Sequence, residues 1–143
     1  MRNRKISTIQ HIARIALGLF LLFAGIGHLS FARLEFRAQV PPWIPMDVDL
    51  VVILSGIAEI GLALLILIWG QRKNWIPWFV ALFFIAVFPG NIAQYTEQRD
   101  AFGLNTDGLR LFRLFMQPVL IIWALWSMDA FHKRKHSLRR QYK

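Results

Sequence analysis

The sequence contains no cysteine, which excludes a disulfide framework, a zinc-thiolate site and a CxxC redox relay within the chain. It also lacks the short motifs that announce common chemistries. There is no HExxH, no GxSxG, no phosphate-binding glycine loop and no cluster of metal ligands at usable spacing. His132 and His136 stand four apart, but basic neighbours would repel a cation there, so no metal site is expected. With no catalytic constellation and no thiol, the residues lean away from an enzyme. Acidic residues are scarce, 8 Asp and Glu against 17 Lys and Arg, which leaves a net charge of +9. Internal repeats and low-complexity segments are missing as well, so the 143 residues are read as one domain.

What the chain has in excess is apolar surface. Hydrophobic residues make up 56% of it and the mean hydropathy is +0.43, more than a water-facing exterior tolerates. The basic residues occupy the gaps and ends between apolar runs rather than one amphipathic face. That placement argues against nucleic acid as a partner and for lipid headgroups.

A bilayer core of about 30 Å needs about 20 helical residues. Four runs reach that length: Ile12 to Leu29, Val48 to Trp69, Trp75 to Tyr95 and Leu109 to Met128. The reading is therefore an all-α, four-helix integral membrane bundle. The first run, behind the basic MRNRK, also resembles a signal peptide, but three further spans follow it, and it is read as retained.

Orientation follows from charge. Arg2, Arg4 and Lys5 precede the first run, Arg72 and Lys73 join the second to the third, and Lys133, Arg134, Lys135, Arg139, Arg140 and Lys143 lie in the basic tail, residues 129–143. The other two connections balance Arg33, Arg37 and Arg99 against Glu35, Asp47, Glu97, Asp100 and Asp107. Both termini are expected on the cytoplasmic side. Trp69, Trp75, Trp78 and Trp126 then fall at the inner interface, and Trp43 and Tyr95 at the outer one. The first outer connection carries Pro41, Pro42 and Pro45, which prevent a regular helix, yet Phe31, Leu34, Phe36, Trp43 and Ile44 make it too apolar to float free. It is expected to lie back on the bundle mouth or in the headgroup layer. The second, EQRDAFGLNTDG, reads as a plain polar loop.

Ionisable groups within spans cost about 2.5–3.5 kcal/mol each, so each needs a reason. Glu59 lies near the bilayer midplane, about 17 Å into the second run. His28, Asn91, Gln94, Arg110, Arg113 and Gln117 all fall in the outer half, with Ser55 one turn from Glu59 on the same face. Turning these faces together would let Arg113 or Arg110 compensate Glu59 while His28, Asn91 and Gln117 complete the hydrogen bonds. The product is a polar pocket open to the outside. Pro89 and Pro118 each free a carbonyl that must be satisfied inside the bundle, and Gly18, Gly25, Gly56 and Gly61 would let helices approach closely. Plainer roles stand beside this one: Arg14 or Arg110 snorkelling to headgroups, His28 or Asn91 capping a helix end, and Glu59 forming a purely structural bridge.

Arg14 followed by LGLFLLFAGIGH, then VPPWIP, SGIAEIGLALLIL, FPGN and RLFRLFMQ resemble the DoxX-like small membrane proteins from about Arg14 to Trp126. FPGN stands where a small residue such as alanine would precede the asparagine, and the missing cysteines argue against a thiol-based redox role. The resemblance implies a four-helix bundle of a bacterial cytoplasmic membrane, with some members acting beside redox enzymes of thiosulfate or quinol oxidation. Three functions follow as expectations. One is a non-enzymatic accessory subunit whose pocket binds a small lipophilic ligand or positions a membrane partner. Another is a quinone-interacting subunit of a membrane oxidoreductase, in which quinone would be the only cofactor, His28 or Glu59 would move a proton and Arg113 would hold the quinone oxygen. The third is a homo-oligomeric transporter, since four spans are too narrow for a pore alone.

Overall fold

The computed structural model describes residues 5–132. The basic residues at positions 2, 4 and 133–143, used above for topology, and His136 lie outside the described residues, as does most of the tail.

Five helices follow in order: α1 (Thr8–Leu29), α2 (Arg33–Arg37), α3 (Val48–Trp69), α4 (Ile76–Thr96) and α5 (Asp107–Ser127), with no strand among the described residues. The four long helices, of 22, 22, 21 and 21 residues, are long and apolar enough to cross a membrane. At about 1.5 Å per residue each spans about 32 Å. Large apolar side chains such as Phe79, Leu82, Phe115 and Ile122 are exposed, as lipid-facing surfaces require and water-facing ones do not. This is a multi-pass helical membrane bundle.

The helix starts are written in local chemistry. Ser7 and Gln10 form a reciprocal capping box at α1, Ser7 Oγ accepting from the Gln10 amide at 3.2 Å and Gln10 Oε1 accepting from the Ser7 amide at 3.0 Å. Asp47 caps α3 by accepting from the Leu50 amide, and Thr106 caps α5 by accepting from the Leu109 amide. Pro77 occupies the first turn of α4, where its missing N–H costs nothing.

The bundle is built from two closely packed pairs, α1 with α3 and α4 with α5, closed by lighter contacts between α1 and α5 and between α3 and α4. Between α1 and α3 the approach is set by glycine. A Cβ at Gly56 would lie 2.6 Å from the His28 Cβ and 3.0 Å from the Gly25 carbonyl, and one at Gly25 would lie 2.9 Å from the Gly56 carbonyl. Gly61, expected to act likewise, has nothing within 4 Å of its would-be Cβ and plays no part in packing.

The first and last long helices meet. Gln10 Nε2 donates to the Trp126 carbonyl at 2.8 Å, and Trp123 Nε1 donates to the Ala13 carbonyl at 2.8 Å. From this terminal end to the middle of the bundle the interior is filled, with Leu17, Leu21, Ile66, Val80, Phe84 and Ala124 in one buried cluster. Arg14 belongs to this end but does not snorkel away. Its Nη1 donates to the carbonyls of Ile66 at 2.5 Å and Leu67 at 2.9 Å, capping the last turn of α3 where a cation is favoured. The carbonyl end of α3 supplies acceptors within hydrogen-bond reach of this side chain.

At the opposite end, the mouth, both connections are tied down. The first lies on the bundle: Arg99 Nη1 donates to the carbonyls of Ala38 (3.3 Å) and Val40 (2.9 Å), and Gln39 Nε2 donates to Gln94 Oε1 at 3.0 Å. Arg33 forms a two-pronged pair with Asp49, and these bonds hold the guanidinium pKa above its ordinary value. The second connection is not a plain loop. Ala101 is buried, Glu35 Oε2 accepts from the Phe102 amide at 2.6 Å, and Arg110 pairs with Asp100 and Asp107 while donating to the Arg99 carbonyl. The two connections thus form one linked cover, with α2 at its centre.

Candidate functional site: a cavity in the mouth half of the bundle

Below this cover the interior is not filled. A cavity of about 840 Å³ lies between the four long helices, walled mainly by apolar and aromatic side chains and roofed by α2 and the connections. Into it come His28 from α1, Ser55 and Glu59 from α3, Asn91 from α4, and Arg113 and Gln117 from α5. The volume falls within the about 300–1,000 Å³ typical of small-molecule sites, as does the pattern of few polar groups in an apolar wall.

Glu59 is nine-tenths buried, and its ionisable neighbour is His28, with Oε2 at 3.0 Å from Nδ1. The same Nδ1 lies 3.0 Å from the Ala24 carbonyl one turn back. Two acceptors converge on one nitrogen, so that nitrogen carries a proton. The hydrogen-bond geometry favours Ala24, and Glu59 Oε2 is left buried without a hydrogen bond of its own. Phe36 of α2 stacks on the imidazole with ring centroids 3.3 Å apart at 14°. The lid helix therefore rests directly on the pair.

Asn91 and Gln117 form the second polar unit. Asn91 Nδ2 donates to Gln117 Oε1 at 3.0 Å, and Gln117 Nε2 donates to the Phe84 carbonyl at 2.6 Å. Pro89 has no N–H to give the Ile85 carbonyl, so this stretch of α4 is where side-chain help is needed. Asn91 is no helix cap, because α4 runs on to Thr96. Gly90 beside it has the Gln39 carbonyl where a Cβ would stand, so only glycine lets the first connection seat so deeply.

Arg113 differs from the rest. It is half-buried and lines the cavity, yet it has no hydrogen bond or ion pair with any described residue; Glu59 is near enough to attract it but out of ion-pair reach.

A family profile described as a domain of unknown function, DUF8561, matches residues 17–128. The chain belongs to that family. No curated protein matches it, and neither does any solved structure. The matched stretch encloses every residue that lines the cavity.

Of the eight residues expected to form the pocket, the fold brings His28, Ser55, Glu59, Asn91, Arg113 and Gln117 to one cavity. Gln94 and Arg110 are not among its walls. Gln94 is 1% exposed and holds the Gln39 side chain, and Arg110 is turned to Asp100 and Asp107 in the second connection. The expected pairing of Glu59 with Arg113 or Arg110 is replaced by His28, because the glycine-mediated approach of α1 and α3 puts the imidazole beside the carboxylate. Sequence reading missed Phe36 and Gln39 as parts of the site. The apolar character of the first connection was the available signal for Phe36. Among the described residues, no group of three or more His, Asp or Glu side chains is placed to hold a metal ion.

Proposed function

We propose that this protein is an accessory subunit of a bacterial cytoplasmic membrane, termini on the cytoplasmic side, that holds a small lipophilic ligand in the mouth-half cavity. One observation carries the reading. A bundle packed densely at one end leaves about 840 Å³ open at the other and sends polar groups from all four long helices into that space. A buried carboxylate and a half-buried guanidinium are expensive in a membrane interior, and a bundle needing only stability would do as well with apolar side chains there. The resemblance to the DoxX-like proteins supports the choice of membrane, and the distribution of Lys and Arg supports the orientation.

Native mass spectrometry after mild extraction tests this. The wild-type protein is expected to carry a small lipophilic adduct. Ser55→Leu fills part of the cavity from a side chain that has no hydrogen bond, and should lose the adduct while melting no lower. Glu59→Gln should weaken adduct retention more than it lowers the melting temperature in detergent. A wild-type spectrum free of adducts, with Glu59→Gln simply unfolding, would leave the pair as a structural bridge.

A second reading, a quinone-interacting subunit of an oxidoreductase complex, draws on the His28–Glu59 contact, since two groups able to exchange a proton share one wall of the cavity. It requires a co-purifying redox enzyme and a quinone-dependent spectral change, and has no support if neither is found.

A further inference from the structure

We infer that the ligand is a long-chain lipophilic acid, its anionic head on Arg113 and its apolar tail along the aromatic wall between α1 and α5. This rests on the reading of the cavity as a lipophilic binding site and adds the chemical class of its occupant.

The head group follows from Arg113. An arginine side chain stays protonated in any protein environment and offers five N–H donors in a rigid fork. In this structure none of the five meets an acceptor from the described residues, although the side chain lies well inside an apolar helix. The other arginines that are withdrawn from the surface are all given partners: Arg14 two carbonyls, Arg33 a carboxylate, Arg99 two carbonyls and a carboxylate, and Arg110 two carboxylates and a carbonyl, whereas Arg37 and Arg72, without partners, are exposed. Glu59, the carboxylate that attracts Arg113, is out of ion-pair reach of it and lies 3.0 Å from His28 instead. The cavity therefore holds a cationic fork with its matching acceptors unfilled, and a carboxylate satisfies it with two parallel charge-assisted bonds.

The tail and the direction of access follow from the walls. Phe23 and Phe112 line the cavity and are also 64% and 62% exposed on the bundle surface, one on α1 and the other on α5. The bonds and ring contacts that join these two helices, Gln10 to Trp126, Ala13 to Trp123 and Phe20 to Trp123, all lie toward the terminal end. Toward the mouth the cavity is bounded on this side by exposed aromatic rings, so it faces the lipid rather than only the water above the cover. A molecule dissolved in the bilayer would reach it sideways, head first to Arg113. A neutral lipophile could fill the same walls but would leave the fork unsatisfied.

Purified full-length protein in mild detergent is titrated with palmitate and with hexadecanol, the alcohol of equal chain length, and binding is followed by native mass spectrometry and by quenching of tryptophan fluorescence. Palmitate should bind about tenfold or more tightly than hexadecanol, and Arg113→Gln should remove that difference by weakening palmitate alone, roughly ten- to a hundredfold. If the variant does not fold, the wild-type comparison of acid with alcohol decides by itself. Equal affinity of the wild type for both compounds overturns the acid inference while the lipophilic cavity stands. Binding of neither overturns both.

Discussion

Arg14 and Arg113 are guanidiniums inside apolar helices, and their surroundings give them opposite tasks. Arg14 spends its donors on two late carbonyls of α3, those of Leu67 and of Ile66, the latter shared with the Gly70 amide. Arg14→Leu should therefore act on stability, lowering it by about 2 kcal/mol for the loss of charge-assisted bonds, read as a lower melting temperature in detergent with ligand retention unchanged in the fraction that stays folded. Arg113, with no described partner, contributes no such bond, and its replacement should change binding instead. The sequence made both residues conspicuous, since charge within an apolar run is visible at once. It did not say which one had acceptors waiting, because those acceptors come from a helix more than fifty positions away.

At the level of elements, the α1–α3 pair depends on backbone approach rather than on interlocking side chains. Gly56 leaves no room for a methyl group beside His28 and the Gly25 carbonyl, whereas Gly61, five positions on, faces open space. Gly56→Ala should destabilise the bundle by about 1–3 kcal/mol through overpacking, and should disturb the His28–Glu59 contact with it. Gly61→Ala is the matched control and should be neutral or up to about 1 kcal/mol stabilising, as expected for removing a helix-interior glycine. Parallel thermal melts of the two variants check the contrast, and equal losses would contradict the assignment of the interface. Their small size within an apolar run put both glycines forward as contact points. Only the rotation of α3 against α1 separates them.

For the molecule as a whole, the division between a filled terminal half and a hollow mouth half sets where a ligand would fit, and membrane orientation would set which side the mouth faces. The absence of native cysteine makes orientation simple to test. A single cysteine at Asn105, exposed in the second connection, should react with an impermeant maleimide in intact cells, while one at Lys73, exposed between α3 and α4, should react only after lysis. The reverse pattern would move the cavity mouth to the cytoplasmic side and contradict the proposed localisation.

The four crossings, their boundaries to within a few residues, and the gathering of polar side chains toward one end were legible in the amino-acid order alone. Each of these depends on local composition: the length of an apolar run and the position of a charge along a helix. Pairing emerged from how the helices pack. His28 rather than an arginine meets Glu59, Arg110 turns to Asp100 and Asp107, Gln94 anchors the first connection, and Phe36 closes over the imidazole. The physical reason is that a helix face fixes a side chain's direction only to within a turn. Which partner it meets depends on how neighbouring helices rotate and how closely their glycines let them approach, and that is a property of the packed bundle rather than of any one segment.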